Sequence, residues 1–278
     1  MYIETLWPIY LAALAMIIYL IVEKVRLARN TTRVRRFDFP KRWMPILEKN
    51  VPLYRKMPLN LQEHHQQLVM QFIEDKTFEA CGGLSDITDE MKVTIAGNAV
   101  IPVLGRYSDM YRKVRTVLIY PSAFFNSKKK EDGVRLGEAW PNGTVILSWD
   151  ATKHSARDVR DGFNVAIHEF AHQLDMDDGS ANGVPTLDHG ALYGPWAEVL
   201  SSEFAKLQAT AAKGKKTVLD DYGATNPAEF FAVATETFFE KARTMERNHP
   251  ELYERMRSYY RVDPARWNRL KKREPSVA

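Results

Sequence analysis

Apolar and polar positions along this chain form a strongly apolar run at the start, then a longer region that switches between helical and strand periods. Between Phe163 and Asp175, Ile167, Phe170, Ala171 and Leu174 recur at the spacing of a helix that buries one face, with Asp161 available as a cap and no proline inside. Leu61, Leu68, Val69, Phe72 and Ile73 predict another amphipathic helix over 59–78, on which the adjacent His64 and His65 are expected to form a solvated face. Further helices are predicted through Met91 to Ile101, capped by Asp86, over Trp196 to Leu207, and over Pro250 to Tyr260, with a basic tail from Arg261 expected to fray. In the stretch 221–239, Asn226 or Thr225 can cap a helix, Pro227 suits its first turn, and Phe230, Phe231, Val233, Ala234 and Phe238 supply the apolar stripe. Short strands are predicted at Phe78 to Cys81 and at Arg115 to Tyr120. A hairpin turning at Pro141-Asn142-Gly143 joins Val134–Ala139 to Thr144–Trp149. The mixture is of the α+β class.

The opening run differs from all of this. Leu6 to Val22 is 17 residues without a charge, and with the residues before it just reaches the length that spans a bilayer. Trp7, Tyr10 and Tyr19 suit its interfaces. Glu4 is the only charge before the run, whereas Lys24, Arg26, Arg29, Arg33, Arg35 and Arg36 follow it. That asymmetry is the reverse of a secretory signal peptide and, by the positive-inside rule, puts everything after Lys24 in the cytoplasm, with the chain in the cell's inner membrane as a single-pass protein. The basic stretch is expected to lie on anionic lipid. The net charge of +4 permits nucleic-acid contact, but no helix-turn-helix, finger or stacking pattern surrounds the basic residues, so direct binding to nucleic acid is not expected.

The chemistry concentrates in H-E-F-A-H at 168–172. His168 and His172 are one helical turn apart, so both imidazoles leave the same face and can hold one metal ion, for which zinc is the expected choice. Glu169, between them, is placed to accept a proton from an attacking water. Two histidines and a glutamate set among apolar neighbours need partners that satisfy them. A third ligand is required. Glu229 and Glu236, seven apart on one predicted helix face, are both candidates, and spacing alone leaves the choice open; His189 is a poorer one. The single cysteine, Cys81, excludes an internal disulfide and any multi-cysteine zinc site.

H-E-F-A-H-Q-L-D at 168–175, G-V-P at 183–185, N-P-A-E-F-F-A-V at 226–233, V-L-I-Y-P at 117–121 and G-x-x-x-L-S-W ending at Trp149 resemble the Mlc titration factor A family of zinc peptidases. Y-G-x-T-N-x-A-E-F-F at 222–231 is also similar to the zinc-binding region of anthrax lethal factor. The resemblance implies a zincin-like domain of the gluzincin kind, with Zn2+ held by His168, His172 and Glu229, Glu169 as general base, and Tyr222 as a phenol that supports the developing oxyanion or the leaving amine. Lethal factor carries a second acid four residues after its ligand glutamate, where this chain has Val233, so a supporting acid must be Glu236 or Asp175. One strand within 134–149 is implied to line the cleft. The substrate implied is a peptide or protein, trimmed from its end as by an aminopeptidase or cut internally. The family's name also implies a second kind of partner, an Mlc-like transcriptional repressor. The expected organisation is a transmembrane anchor over 1–22, a basic linker over 23–40, the peptidase domain over 41–265 and a basic tail over 266–278.

Overall fold

The computed structural model describes residues 38–106, 111–125 and 133–268. All described elements belong to one unit that begins at Asp38. No helix among the described residues is long and apolar enough to cross a membrane, and the expected span at 1–22, with most of the linker, lies outside them.

Three helices open the domain: α1 (Met44–Asn50), α2 (Pro52–Lys56) and α3 (Leu59–Asp75). β1 (Thr77–Ala80) leads to α4 (Asp89–Ala99), then β2 (Thr116–Tyr120), β3 (Phe124–Phe125), β4 (Val134–Arg135), β5 (Gly137–Ala139) and β6 (Thr144–Ser148) follow. The rest is helical: α5 (Trp149–Ser155), α6 (Val165–Asp175), α7 (Tyr193–Ala211), α8 (Pro227–Glu240), α9 (Ala242–Asn248) and α10 (Pro250–Tyr260). The main sheet runs in the order β1-β2-β6-β5. Its first three strands are parallel and β5 is antiparallel at the edge. Val117, Ile119, Val145 and Leu147 are completely buried, as expected of parallel strands covered by helices.

The hairpin between β5 and β6 turns where the sequence places it. The Gly143 N–H donates to the Trp140 carbonyl at 3.0 Å. Gly143 has φ +85°, and a Cβ there would lie 1.8 Å from the Lys113 carbonyl oxygen, so only glycine fits. The predicted strand 134–139 is broken at Leu136. Val134 and Arg135 pair with β3, while Gly137 to Ala139 pair with β6. Between them the Leu136 carbonyl still accepts from the Ser148 N–H at 2.8 Å.

Helices α6 and α8 pack together at the centre. Phe170 of α6 meets Phe72 and Tyr111, with ring centroids 5.4 and 4.9 Å apart. Phe230, Phe231, Phe238 and Phe239 of α8 are buried, and Phe238 stacks on Tyr260 of α10. Burial on this scale stabilises by about 2 kcal/mol per large side chain and holds the two helices in register.

Four local expectations are corrected. Thr88, not Asp86, caps α4, accepting from the Met91 N–H at 3.3 Å. Asn164, not Asp161, caps α6, which begins two residues later than the apolar pattern suggested; Asp161 instead accepts from the Phe163 N–H. His65 is fully buried rather than solvated, because α4 packs over α3 and offers it the Gly97 carbonyl. The chain past Arg261 does not fray at once. Val262, Pro264, Ala265 and Trp267 are buried, Arg266 pairs with Glu246, and the Asn268 N–H reaches the Lys56 carbonyl at 2.8 Å.

Candidate metal centre

Asn164 opens α6 by accepting from the Ile167 N–H at 3.1 Å, and the helix gives way to a short 3-10 turn at Met176–Asp178 closed by Gly179. Those ends leave His168, Glu169 and His172 on the middle turns, the two histidines facing α8 and Glu169 facing β5. Asn226 caps α8 through the Glu229 N–H at 3.0 Å, and Pro227 takes its first position, so Glu229 lies in the first turn.

Three donor atoms converge. His168 Nε2 lies 2.9 Å from Glu229 Oε2 and 3.1 Å from His172 Nε2, and His172 Nε2 lies 3.3 Å from Glu229 Oε2. Donors around a tetrahedral zinc with bonds of about 2.0–2.1 Å sit roughly 3.3 Å apart, so the set fits such an ion. The chemistry of the set fits equally well, since two imidazoles and a carboxylate suit a borderline cation. Among the described residues His168, His172 and Glu229 form the group able to hold a metal.

Of the two candidate supporting acids, Glu236 is the one that meets a histidine ring. His168 Nδ1 lies 2.7 Å from Glu236 Oε1, which leaves the Nε2 lone pair turned toward the shared point. Glu236 is 1% exposed, and its other oxygen accepts from the Asn164 N–H. Asp175 does something else: its carboxylate accepts from the Gly183 N–H at 2.9 Å and ties down the loop after α6. His189 is exposed and stands outside the group.

Glu169 is 7% exposed and presses on the edge strand. A Cβ on Gly137 would lie 2.5 Å from its Oε1, so β5 comes this close only because residue 137 is glycine. No sequence signal had singled out Gly137. Burial pushes the Glu169 carboxyl up; the two imidazoles oppose that, and the charges of Glu229 and Glu236 add to it. Glu229 goes the other way. Burial pushes it up, but its hydrogen bonds to both imidazoles outweigh this and hold it below the usual carboxylate range.

Tyr222 stands on the 3-10 turn Asp221–Ala224, whose start Asp220 caps through the Tyr222 N–H at 2.9 Å. Its ring centroid is 5.9 Å from that of His168, and its side chain is 53% exposed. Burial of the phenol, then the charges of Glu229 and Glu169, push its pKa up to about 12, so it remains a hydrogen-bond donor. The predicted metal-site residues and both predicted catalytic residues thus lie close together, with Tyr222 near His168 and Glu169 against β5.

A family profile described as glucose-regulated metallo-peptidase M90 matches residues 25–261. An uncharacterized protein of Synechocystis sp. is 38% identical over 235 residues, covering 81% of this chain and 85% of that protein. A protein of Yersinia pestis named Mlc titration factor A is 32% identical over 250 residues, covering 82% of this chain and 87% of that protein. One of Yersinia pseudotuberculosis with the same name matches to the same extent.

Proposed function

The chain belongs to the glucose-regulated metallo-peptidase M90 family, and from that premise we propose that it hydrolyses peptide bonds at a zinc site held by His168, His172 and Glu229. The observation that carries this reading is the convergence of those three donors, 2.9 to 3.3 Å apart, with the buried Glu169 on the helix that carries both histidines. Zinc bound there supplies a Lewis acid that polarises the scissile carbonyl and acidifies water.

The chain's own residues do the rest. Glu169, its carboxyl pushed up by burial, accepts a proton from the attacking water as its oxygen bonds to the carbonyl carbon. It then delivers that proton to the leaving nitrogen as the C–N bond breaks. The Tyr222 phenol donates to the developing oxyanion. Glu236 keeps His168 in the tautomer and orientation that ligation needs. Strand β5, at the edge of the sheet and against Glu169, is placed to align an extended substrate. In this reading the domain is zincin-like and faces the cytoplasm, anchored through residues 1–22, on the charge asymmetry around that run.

The test is the zinc-loaded full chain in detergent, incubated with a mixed peptide library read by mass spectrometry, beside its Glu169→Gln variant. Cleavage by the parent, with turnover lower by about 10^3-fold in a variant that still binds zinc, is the expected result. Cut positions distinguish end-trimming from internal cleavage. Equal turnover by both proteins would sink the mechanism.

The relatives' name supports a second reading, a protein that sequesters an Mlc-like transcriptional repressor and uses zinc mainly for structure. Calorimetry against a purified repressor of that type decides it. Stoichiometric binding without cleavage, equal in parent and Glu169→Gln, favours the regulator.

A further inference from the structure

Asn164 caps the helix that carries both histidines, but a cap uses only its Oδ1. Its Nδ2 donates to Asn98 Oδ1 on α4 and to Glu240 Oε1 on α8, each at 3.1 Å. An amide nitrogen has two hydrogens, so both are committed to bridging helices on either side of α6. Asn98 is itself held by donating to the Thr94 carbonyl at 2.8 Å. The backbone N–H of the same Asn164 donates to Glu236 Oε2, and the other oxygen of Glu236 meets His168 Nδ1. Asn98, Asn164, Glu236 and Glu240 are all at least nine-tenths buried. In so dry a place an unpaired amide hydrogen is costly, which holds the bridge in one orientation.

We propose that Asn164 is a positioning residue for the His168 ligand: its side chain, clasped between α4 and α8, fixes the backbone N–H that pins Glu236 against the imidazole. The proposal rests on the reading of His168 as a ligand. A cap alone needs only an acceptor, which serine or aspartate supplies equally well. The bridging Nδ2 is what distinguishes asparagine here. Without it, residue 164 can shift, Glu236 loses its second anchor, and the ring of His168 is free to turn.

The experiment is a double-mutant cycle on the full chain in detergent, reading zinc affinity by competition with a chromophoric chelator. Asn164→Ser keeps a cap acceptor and removes the bridge; Glu236→Gln removes the pinned carboxylate. Each single variant is expected to bind zinc about 10-fold more weakly. The double variant should be no weaker than Glu236→Gln alone, because both changes act through one carboxylate. The visible bands of the cobalt-loaded protein should shift alike in the two single variants, whereas loss of stability alone leaves the bands of folded, loaded protein unchanged. Additive losses of about 100-fold in the double variant, or parent-like affinity and bands in Asn164→Ser, would overturn the proposal. If Asn164→Ser does not fold, Asn98→Ala removes one acceptor of the same Nδ2 and enters the same cycle with a smaller expected loss. A parent that binds zinc yet cleaves no peptide defeats the peptidase reading and leaves this cycle intact.

Discussion

Helices α3 and α6 each carry two histidines, and the fold treats the pairs in opposite ways. On α3, His65 is fully buried, and its Nε2 is 2.7 Å from the Gly97 carbonyl. Burial pushes that imidazole down to about 4, so it is a neutral packing residue whose Nε2 is satisfied by the Gly97 carbonyl while its Nδ1 is buried without a partner. On α6, His168 and His172 are nearly as buried, yet their Nε2 atoms approach to 3.1 Å with a carboxylate beside them. Burial therefore does not distinguish a candidate ligand from a core histidine. The difference is where the nitrogens are directed: His65 spends its Nε2 on a backbone carbonyl, whereas His168 spends Nδ1 on Glu236 and keeps Nε2 for the shared point.

That contrast can be broken or sharpened by substitution. The largest expected effect is on α6: His172→Ala should weaken zinc binding by more than about 100-fold, beyond the cost of losing a supporting residue, as read by chelator competition. His65→Leu should leave zinc affinity unchanged in the same assay. A zinc defect in His65→Leu, or none in His172→Ala, would erase the distinction. Next comes Gly137→Ala, whose methyl must displace the Glu169 carboxyl; kcat should fall about 100-fold with zinc retained. A third effect is on stability. At neutral pH His65→Leu should cost about 2 kcal/mol in denaturant unfolding, because the Gly97 carbonyl loses its partner.

The last effect is a slope, spread over more than two pH units. His65 has a folded value near 4 against an ordinary 6.5, so between those values the unfolded chain holds the proton that the folded chain refuses. Stability contributed by this neutral histidine is present above pH 6.5 and is lost as pH falls toward 4, by about 3 kcal/mol over the window. The Leu variant lacks this loss, so its unfolding free energy should approach or cross the parent's near pH 4. Parallel pH curves would show that His65 is not held neutral.

Much of this architecture was legible locally. The spacing of His168 and His172, the hairpin at Gly143, the cap and first-turn proline of α8 and the strands at 77–80, 116–120 and 144–148 follow from patterns within a dozen residues. The choice of supporting acid was not legible in that way. Glu236 and Asp175 were equal candidates in sequence, Asp175 even standing closer to His172, yet the packing of α8 on α6 gives the Nδ1 contact to Glu236 and sends Asp175 to the Gly183 loop. His65 misled because helical periodicity places a side chain on a face and cannot say that α4 will cover that face.

By itself the sequence determined what is set by one turn of backbone: the histidine pair on α6, the glutamate between them, the first-turn proline of α8 and the turn glycine. The tertiary structure alone decided which distant groups meet that turn. Glu229 and Glu236 come from α8, Gly137 from an edge strand, and Asn98 from α4. The physical reason is range. Helical spacing fixes directions over about 5 Å along one element, whereas these contacts depend on how whole elements bury their apolar faces against one another.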